Sequence, residues 1–144
     1  MRIDGPALAA LLPQQGTMGL IDSVDAFDAT RIVCSTTRHA DPVNPLREDG
    51  RLSSLAGIEF AAQAMAAHGA LLGDRQPVHG WLARVRDCVV SCERMDTLPG
   101  PLRIEAERLA GDARALSYRF TISSRGAPVL EGSALIARMP GDAP

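Results

Sequence analysis

The segment at residues 53–73, SSLAGIEFAAQAMAAHGALLG, contains a single carboxylate, Glu59, among small and apolar side chains. Apolar surroundings raise the pKa of a carboxylic acid, and a raised pKa suits general acid or base catalysis near neutral pH. Glu59 is therefore the first candidate for a catalytic residue. The alternative is a carboxylate at the helix edge that reaches solvent or pairs with an arginine such as Arg84.

Two neighbours in the same segment could assist Glu59. Gly57 falls in the first turn of the predicted helix, where main-chain N–H groups lack helical partners and favour negative charge. Its missing side chain would admit a substrate carbonyl, or else would allow tight helix–sheet packing. Gln63 lies one turn after Glu59 and could hold the carboxylate or a substrate group. The alternative is a polar residue solvated at a subunit seam.

The three histidines differ in how well they are placed to work with Glu59. His39 is the one that precedes the helix, and it could reach Glu59 of its own or a partner subunit; otherwise it is a surface residue at a strand end. His68 is nine residues past Glu59 and falls on the opposite side of the helix, so we expect a structural role. His79 is expected at the surface, at the start of a strand.

The elements that must position these residues follow from the hydrophobic pattern. Residues 54–72 are apolar nearly all round, which predicts one buried helix that Ser53 or Ser54 can cap and Gly73 ends. A short helix is expected before Pro13, and residues 39–51 are expected to form an irregular loop. Alternating or β-branched patterns predict strands at residues 17–29, 30–38, 78–92, 101–111, 113–124 and 127–139.

This order of elements predicts an α+β fold with a single domain at residues 1–139 and a frayed tail at 140–144. A curled antiparallel sheet wrapped around one central helix, the hotdog arrangement, buries such a helix. The net charge of −2 and an aromatic content of 3% argue against nucleic-acid binding. We expect no membrane span, three reduced and mostly buried cysteines, and therefore a cytoplasmic protein.

Two segments resemble the hotdog acyl-carrier-protein dehydratases. Residues 11–24, LLPQQGTMGLIDSV, resemble the LPHRxPMLLLDRV opening of that family. Residues 44–69, NPLREDGRLSSLAGIEFAAQAMAAHG, resemble the PFFxDGGLPAWVGIEYMAQAIAA segment of its aryl-polyene-type branch. The resemblance implies dehydration, or a related reaction, of an acyl thioester on acyl carrier protein or coenzyme A, without a metal or organic cofactor.

The same resemblance implies roles and partners. Glu59 would transfer the proton and the Gly57 N–H would polarise the thioester carbonyl. Because the sites of this family are shared between subunits, it implies a homodimer or a heterodimer with a hotdog homologue. Arg84 could meet the phosphate of a phosphopantetheine arm, or lie on a solvated strand face.

The sequence departs from the family pattern where the family has histidine. Gln14 stands at the position of the histidine in the opening motif. The general fatty-acid enzymes have a second histidine in the loop before the helix, and their spacing from the helix carboxylate leads to Pro45, beside Asn44. An amide cannot transfer protons at neutral pH, but Gln14 or Asn44 could orient a carbonyl or a water. The predicted function is therefore a dehydratase-like protein. The alternatives are an acyl thioesterase or a non-catalytic subunit that partners an active homologue.

Overall fold

The computed structural model describes residues 2–138, so the expected tail at 140–144 lies outside the described residues. Short 3-10 turns at Gly16–Met18, Arg38–Ala40 and Ser54–Ala56 interrupt the loops. The helices and strands are β1 (Ile3–Asp4), α1 (Gly5–Ala9), β2 (Ser23–Phe27), β3 (Arg31–Thr36), α2 (Gly57–Leu72), β4 (Gly80–Val90), β5 (Leu102–Gly111), β6 (Ala115–Ser124) and β7 (Ala127–Arg138).

The strands form one antiparallel sheet of seven, in the order β1-β2-β3-β5-β6-β7-β4. The meander β5–β6–β7 follows directly from alternation, since Leu116, Tyr118, Phe120 and Ile122 of β6 are buried while the residues between them are not. Helix α2 packs over β3, β5 and β6, and β4 forms the far edge beside β7. The predicted α+β hotdog fold is confirmed.

Helix α2 ends at Gly73 as predicted, but it begins at Gly57, after the 3-10 turn Ser54–Ala56 that Ser53 caps, and it is buried on one side only. The Ser53 hydroxyl accepts the Leu55 N–H (3.2 Å), and the Gly73 N–H donates to the Gly69 carbonyl (3.1 Å). One side packs in the core with Phe60, Ala61 and Ala64 fully buried. The other side is a stripe at helical spacing that we call the open face, and it consists of Leu55, Ile58, Glu59, Ala62, Ala66 and Leu72, all exposed or half-buried.

The segment Ser54–Leu72 is 19 residues long, and by length and composition alone it would qualify as a membrane span. More than half of it is buried inside the protein, however, which is the usual condition of a core helix in a soluble protein.

The strand expected at residues 17–29 is shorter, because main-chain groups at its start are bound elsewhere. Gln63 of α2 accepts the Leu20 N–H (2.8 Å) and donates to the Met18 carbonyl (2.7 Å), so these groups do not join a neighbouring strand. β2 therefore begins at Ser23. The two-residue strand β1 was not predicted, since so short an element leaves no pattern.

The cysteines are free, as expected, but not uniformly buried. Cys34 is buried in the core, Cys92 is half-buried and Cys88 on the edge strand β4 is exposed.

Candidate functional site

Glu59 lies in the first turn of α2, on the open face. Its side chain is exposed, and no hydrogen bond or ion pair engages it within residues 2–138, so the alternative pairing with Arg84 is not formed in this chain. The expectation that the helix buries this carboxylate is wrong for the chain by itself, because α2 turns this stripe away from its own sheet. Glu59 is thus an unengaged carboxylate within a mostly apolar surface.

The main-chain N–H groups at the start of the helix already have acceptors. The Ser54 N–H donates to the Glu93 carbonyl (3.0 Å), and the Ala56 N–H donates to the Ser53 carbonyl (3.0 Å). The Gly57 N–H points to the carbonyls of Leu55 and Ser54. A substrate carbonyl polarised at Gly57 would therefore compete with a 3-10 hydrogen bond.

Gly57 is also in close contact with the sheet. A Cβ atom there would lie 2.8 Å from Ile122 Cδ1 and 2.9 Å from Leu130 Cδ2. These distances are shorter than van der Waals contact, so an alanine at this position would force the ends of the Ile122 and Leu130 side chains to shift.

Gln63 is buried rather than solvated at a seam. Because both ends of its amide bond the main chain at Met18 and Leu20, it fastens α2 to the segment before β2. A substrate would have to displace one of these hydrogen bonds to reach the amide.

His39 is buried, so the alternative of a surface residue is wrong. Its Nε2 lies 3.1 Å from the Leu98 carbonyl, which can only accept, so Nε2 carries the hydrogen. Nδ1 is then an unprotonated nitrogen, buried and without a hydrogen-bond partner. Burial lowers the pKa of this imidazole, which keeps the neutral form, and a basic nitrogen, available near neutral pH.

Asn44 and Gln14, the two amides at positions where the resemblance implies histidine, differ in their hydrogen bonds. Asn44 is buried; its Nδ2 donates to the Arg38 carbonyl (2.9 Å) and its Oδ1 accepts the Leu46 N–H (2.9 Å), so it shapes the loop before the helix. Gln14 has a buried Oε1 without a partner, and it lines a hollow of about 250 Å³ with Asp22 and Arg38. Of the two, Gln14 has the free hydrogen-bonding capacity.

Sequence reasoning missed a charged clamp at the start of the helix. The nearly buried Asp96 carboxylate accepts the Leu52 N–H (3.0 Å) and two N–H groups of Arg94, and Arg47 approaches it to 4.0 Å. The Arg94 hydrogen bonds hold the pKa of Asp96 well below its usual range. The clamp fixes the chain that leads into α2, and the two-residue spacing of Arg94 and Asp96 is the signal in the sequence.

His68 is buried at the opposite end of α2 and is bonded through both ring nitrogens. Arg108 donates to the Tyr118 hydroxyl (2.8 and 3.1 Å), which lies 2.7 Å from His68 Nδ1. His68 Nε2 lies 2.8 Å from the Asp28 carbonyl and donates to it. This directed chain of hydrogen bonds fits the structural role that we predicted.

Arg84 is exposed on the outer side of the edge strand β4. With Arg86, Asp87 and residues of β6 and β7 it lines a hollow of about 230 Å³. Whether a phosphate occupies this hollow stays a prediction.

Comparison with known proteins identifies the family of this chain. The model of the ApeP dehydratase family matches residues 6–142, which is nearly the whole chain, and the chain belongs to that family. No curated protein matches the sequence.

Several solved structures share the fold at low sequence identity. The dehydratase heterocomplex ApeI:P from Xenorhabdus doucetiae is 21% identical, with a TM-score of 0.82 over 94% of this chain and 93% of that one. A hypothetical thioesterase with coenzyme A from Streptococcus pneumoniae is 13% identical, with a TM-score of 0.59 over 81% and 84%. AziG from S. sahachiroi is 18% identical, with a TM-score of 0.60 over 85% and 92%.

Proposed function

We propose that this member of the ApeP dehydratase family acts in the dehydration of 3-hydroxyacyl thioesters on acyl carrier protein, in cytoplasmic aryl polyene or fatty-acid-like synthesis. We further propose that it does so as one half of a two-chain hotdog assembly. The observation that carries the proposal is Glu59, an unengaged carboxylate on the mostly apolar open face of α2.

The reaction requires two proton transfers. A base removes a proton from C2 of the acyl chain, and an acid protonates the hydroxyl that leaves C3 as water, so that a C2–C3 double bond forms. Glu59 performs one transfer. His39 Nδ1, or a side chain of the second subunit, performs the other, because Gln14 and Asn44 cannot exchange protons at neutral pH.

Two features support an assembly of two chains. A second chain on the open face would cover Leu55, Ile58 and Glu59 and remove the carboxylate from bulk water. The edge strand β4, which is 11 residues long, also has no neighbouring strand on its outer edge among residues 2–138, and it exposes Trp81, Val89 and Val90 at 53%, 51% and 44%. Long exposed edges of this kind are normally paired or covered. The ApeI:P structure is itself a heterocomplex, which favours a related hotdog chain as the partner.

The test compares the purified chain with the complex that it forms with a copurifying hotdog protein. Each is given a 3-hydroxyacyl and a plain acyl thioester on carrier protein, and loss of water or release of free acid is followed by mass spectrometry. We expect loss of water from the 3-hydroxyacyl substrate. Release of free acid from both substrates would instead establish the thioesterase alternative.

The non-catalytic subunit remains the second candidate, and two observations favour it. Gln14, Asn44 and Pro45 stand where the resemblance implies histidines, and the N–H groups at the start of α2 already have acceptors. If the complex is active and Glu59→Gln in this chain leaves its rate unchanged, the chain supports an active partner and does no chemistry itself.

His39→Ala separates the two ways of supplying the second proton. A loss of rate comparable to that of Glu59→Gln would make His39 the imidazole of the site. A rate close to that of the unaltered protein would assign the second transfer to the partner, with Gln14 or Asn44 as orienting groups.

A further inference from the structure

The edge strand β4 carries two arginines on one face. Its register places Arg84 beside Leu135 and Arg86 beside Ser133 of β7, on the side of the sheet away from α2. Both arginines are exposed, and none of the ion pairs among residues 2–138 involves either of them. Asp87, in the adjacent bulge, lines the same hollow and is the single acid of the strand. The outer side of this edge therefore has an excess of positive charge.

This charge pattern opposes pairing of β4 with a second copy of itself. Val85 is the midpoint of the strand Gly80–Val90, and a twofold antiparallel pairing centred there puts Arg84 opposite Arg86 of the second copy. Moving the centre to Arg84 or to Arg86 puts that arginine opposite its own copy. Each of these central registers thus places arginine against arginine, and like charges directly opposite each other destabilise a strand pair.

We propose that β4 is built to pair with the edge strand of a different chain, one that presents carboxylates opposite Arg84 and Arg86. The inference rests on the two-chain assembly of the proposed function and adds the chemistry of the partner's edge. Opposite charges facing each other across the new strand pair would stabilise it, whereas the self-paired form lacks them. The charge pattern thus selects a heterodimer over a homodimer.

The experiment uses an acidic version of the same fold as a surrogate partner. The unaltered chain is mixed with the double variant Arg84→Glu/Arg86→Glu, and the dimers are counted by native mass spectrometry. All three central registers now place arginine opposite glutamate. We expect the association constant of the mixed dimer to be about tenfold higher than random exchange of the two chains would give. The excess should shrink as salt rises from about 0.05 M to about 0.5 M.

Arg119→Glu is the matched control. Arg119 lies on the same outer face, but it is two strands in from the edge and opposite Glu107 of β5. We expect this variant to mix with the unaltered chain in random proportions.

Several outcomes would overturn the proposal. The unaltered chain and the double variant could form dimers in random proportions, or their mixture could stay monomeric. The unaltered chain could also form a homodimer whose stability does not depend on salt. Should the double variant fail to fold, Arg84→Gln/Arg86→Gln must associate with itself more tightly than the unaltered chain does. None of these measurements uses a substrate, so a failure of the proposed dehydration would not change what they show about the charge of the partner's edge.

Discussion

Glu59 and His68 lie on the same helix, nine residues apart, in opposite circumstances. His68 is fully buried, and both its ring nitrogens are bonded in a chain that runs from Arg108 through Tyr118 to the Asp28 carbonyl. Glu59 is exposed and engages no group of the described chain. The His68 side chain therefore contributes to the stability of the fold, whereas the Glu59 side chain is free to contact a substrate or a partner.

The difference separates residues whose loss costs stability from those whose loss costs activity. A buried polar group that loses its partner retains the full cost of its removal from water, about 1–3 kcal/mol. An exposed carboxylate without partners contributes little to folding, so its substitution is felt in function. Variants of the two ends of α2 should therefore fail in different assays.

The largest effect is expected from Glu59→Gln. This change keeps the shape of the side chain but removes proton exchange, so the rate of dehydration should fall by about 10²–10⁴-fold. The free energy of unfolding should stay within about 0.5 kcal/mol of that of the unaltered protein. Steady-state kinetics and urea unfolding measure the two quantities. Glu93→Gln, the same change at another exposed position, is the control and should keep full activity.

His68→Ala should show the reverse behaviour. Removing the imidazole leaves a cavity and deprives the Tyr118 hydroxyl of its acceptor, at a cost of about 3 kcal/mol in the free energy of unfolding. Activity at a temperature where the variant stays folded should change little. Tyr118→Phe breaks the same chain of hydrogen bonds with less loss of volume and should cost about 1–2 kcal/mol. If both variants had the same free energy of unfolding as the unaltered protein, His68 would not be a stabilising residue.

Gly57→Ala tests the packing of the first residue of α2, at the Glu59 end of the helix. The new methyl group would press on Ile122 and Leu130, and we expect a loss of about 1–2 kcal/mol in the free energy of unfolding. Gly69→Ala is the matched control in the same helix, since its nearest neighbour is Val78 Cγ2 at 3.3 Å. There the helical preference for alanine should offset the contact. Equal effects at both positions would show that close packing does not dictate Gly57.

The smallest effect concerns pH. Burial lowers the pKa of His39 and of His68 below the ordinary value of 6.5, so in the interval just below 6.5 the unfolded chain binds more protons than the folded one. Stability is therefore complete above that value and is lost as the pH falls through it, by at most about 1.4 kcal/mol per pH unit for each histidine. Urea unfolding at about pH 7.5 and about pH 5.5 measures the loss.

The matched variants are His68→Gln and His39→Gln, and each should reduce the loss of stability between about pH 7.5 and about pH 5.5. His79→Gln, at an exposed position, should leave it unchanged. A loss of stability that persists in the His39 and His68 double variant would have to come from other groups.

Much of the fold was predictable from local patterns. The alternation in β5, β6 and β7, the long apolar run of α2, the Ser53 cap of the 3-10 turn before it and its end at Gly73 all depend on residues close together in the chain. The fold class followed because a single apolar helix needs a sheet around it. The start of β2 was missed because Gln63, far away in sequence, bonds the main chain at Met18 and Leu20.

The candidate site likewise has features that the sequence predicts and features that only the tertiary structure shows. The sequence by itself determined which groups are capable of the chemistry, since residue type sets whether a side chain exchanges protons, as Glu59 and His39 can and Gln14 cannot. Only the tertiary structure decided that α2 turns Glu59 outward, that His39 is buried with a free nitrogen, and that Arg84 and Arg86 share one face of an unpaired edge. The physical reason is that exposure, hydrogen-bond partners and strand neighbours are set by contacts between distant parts of the chain, which local sequence patterns do not record.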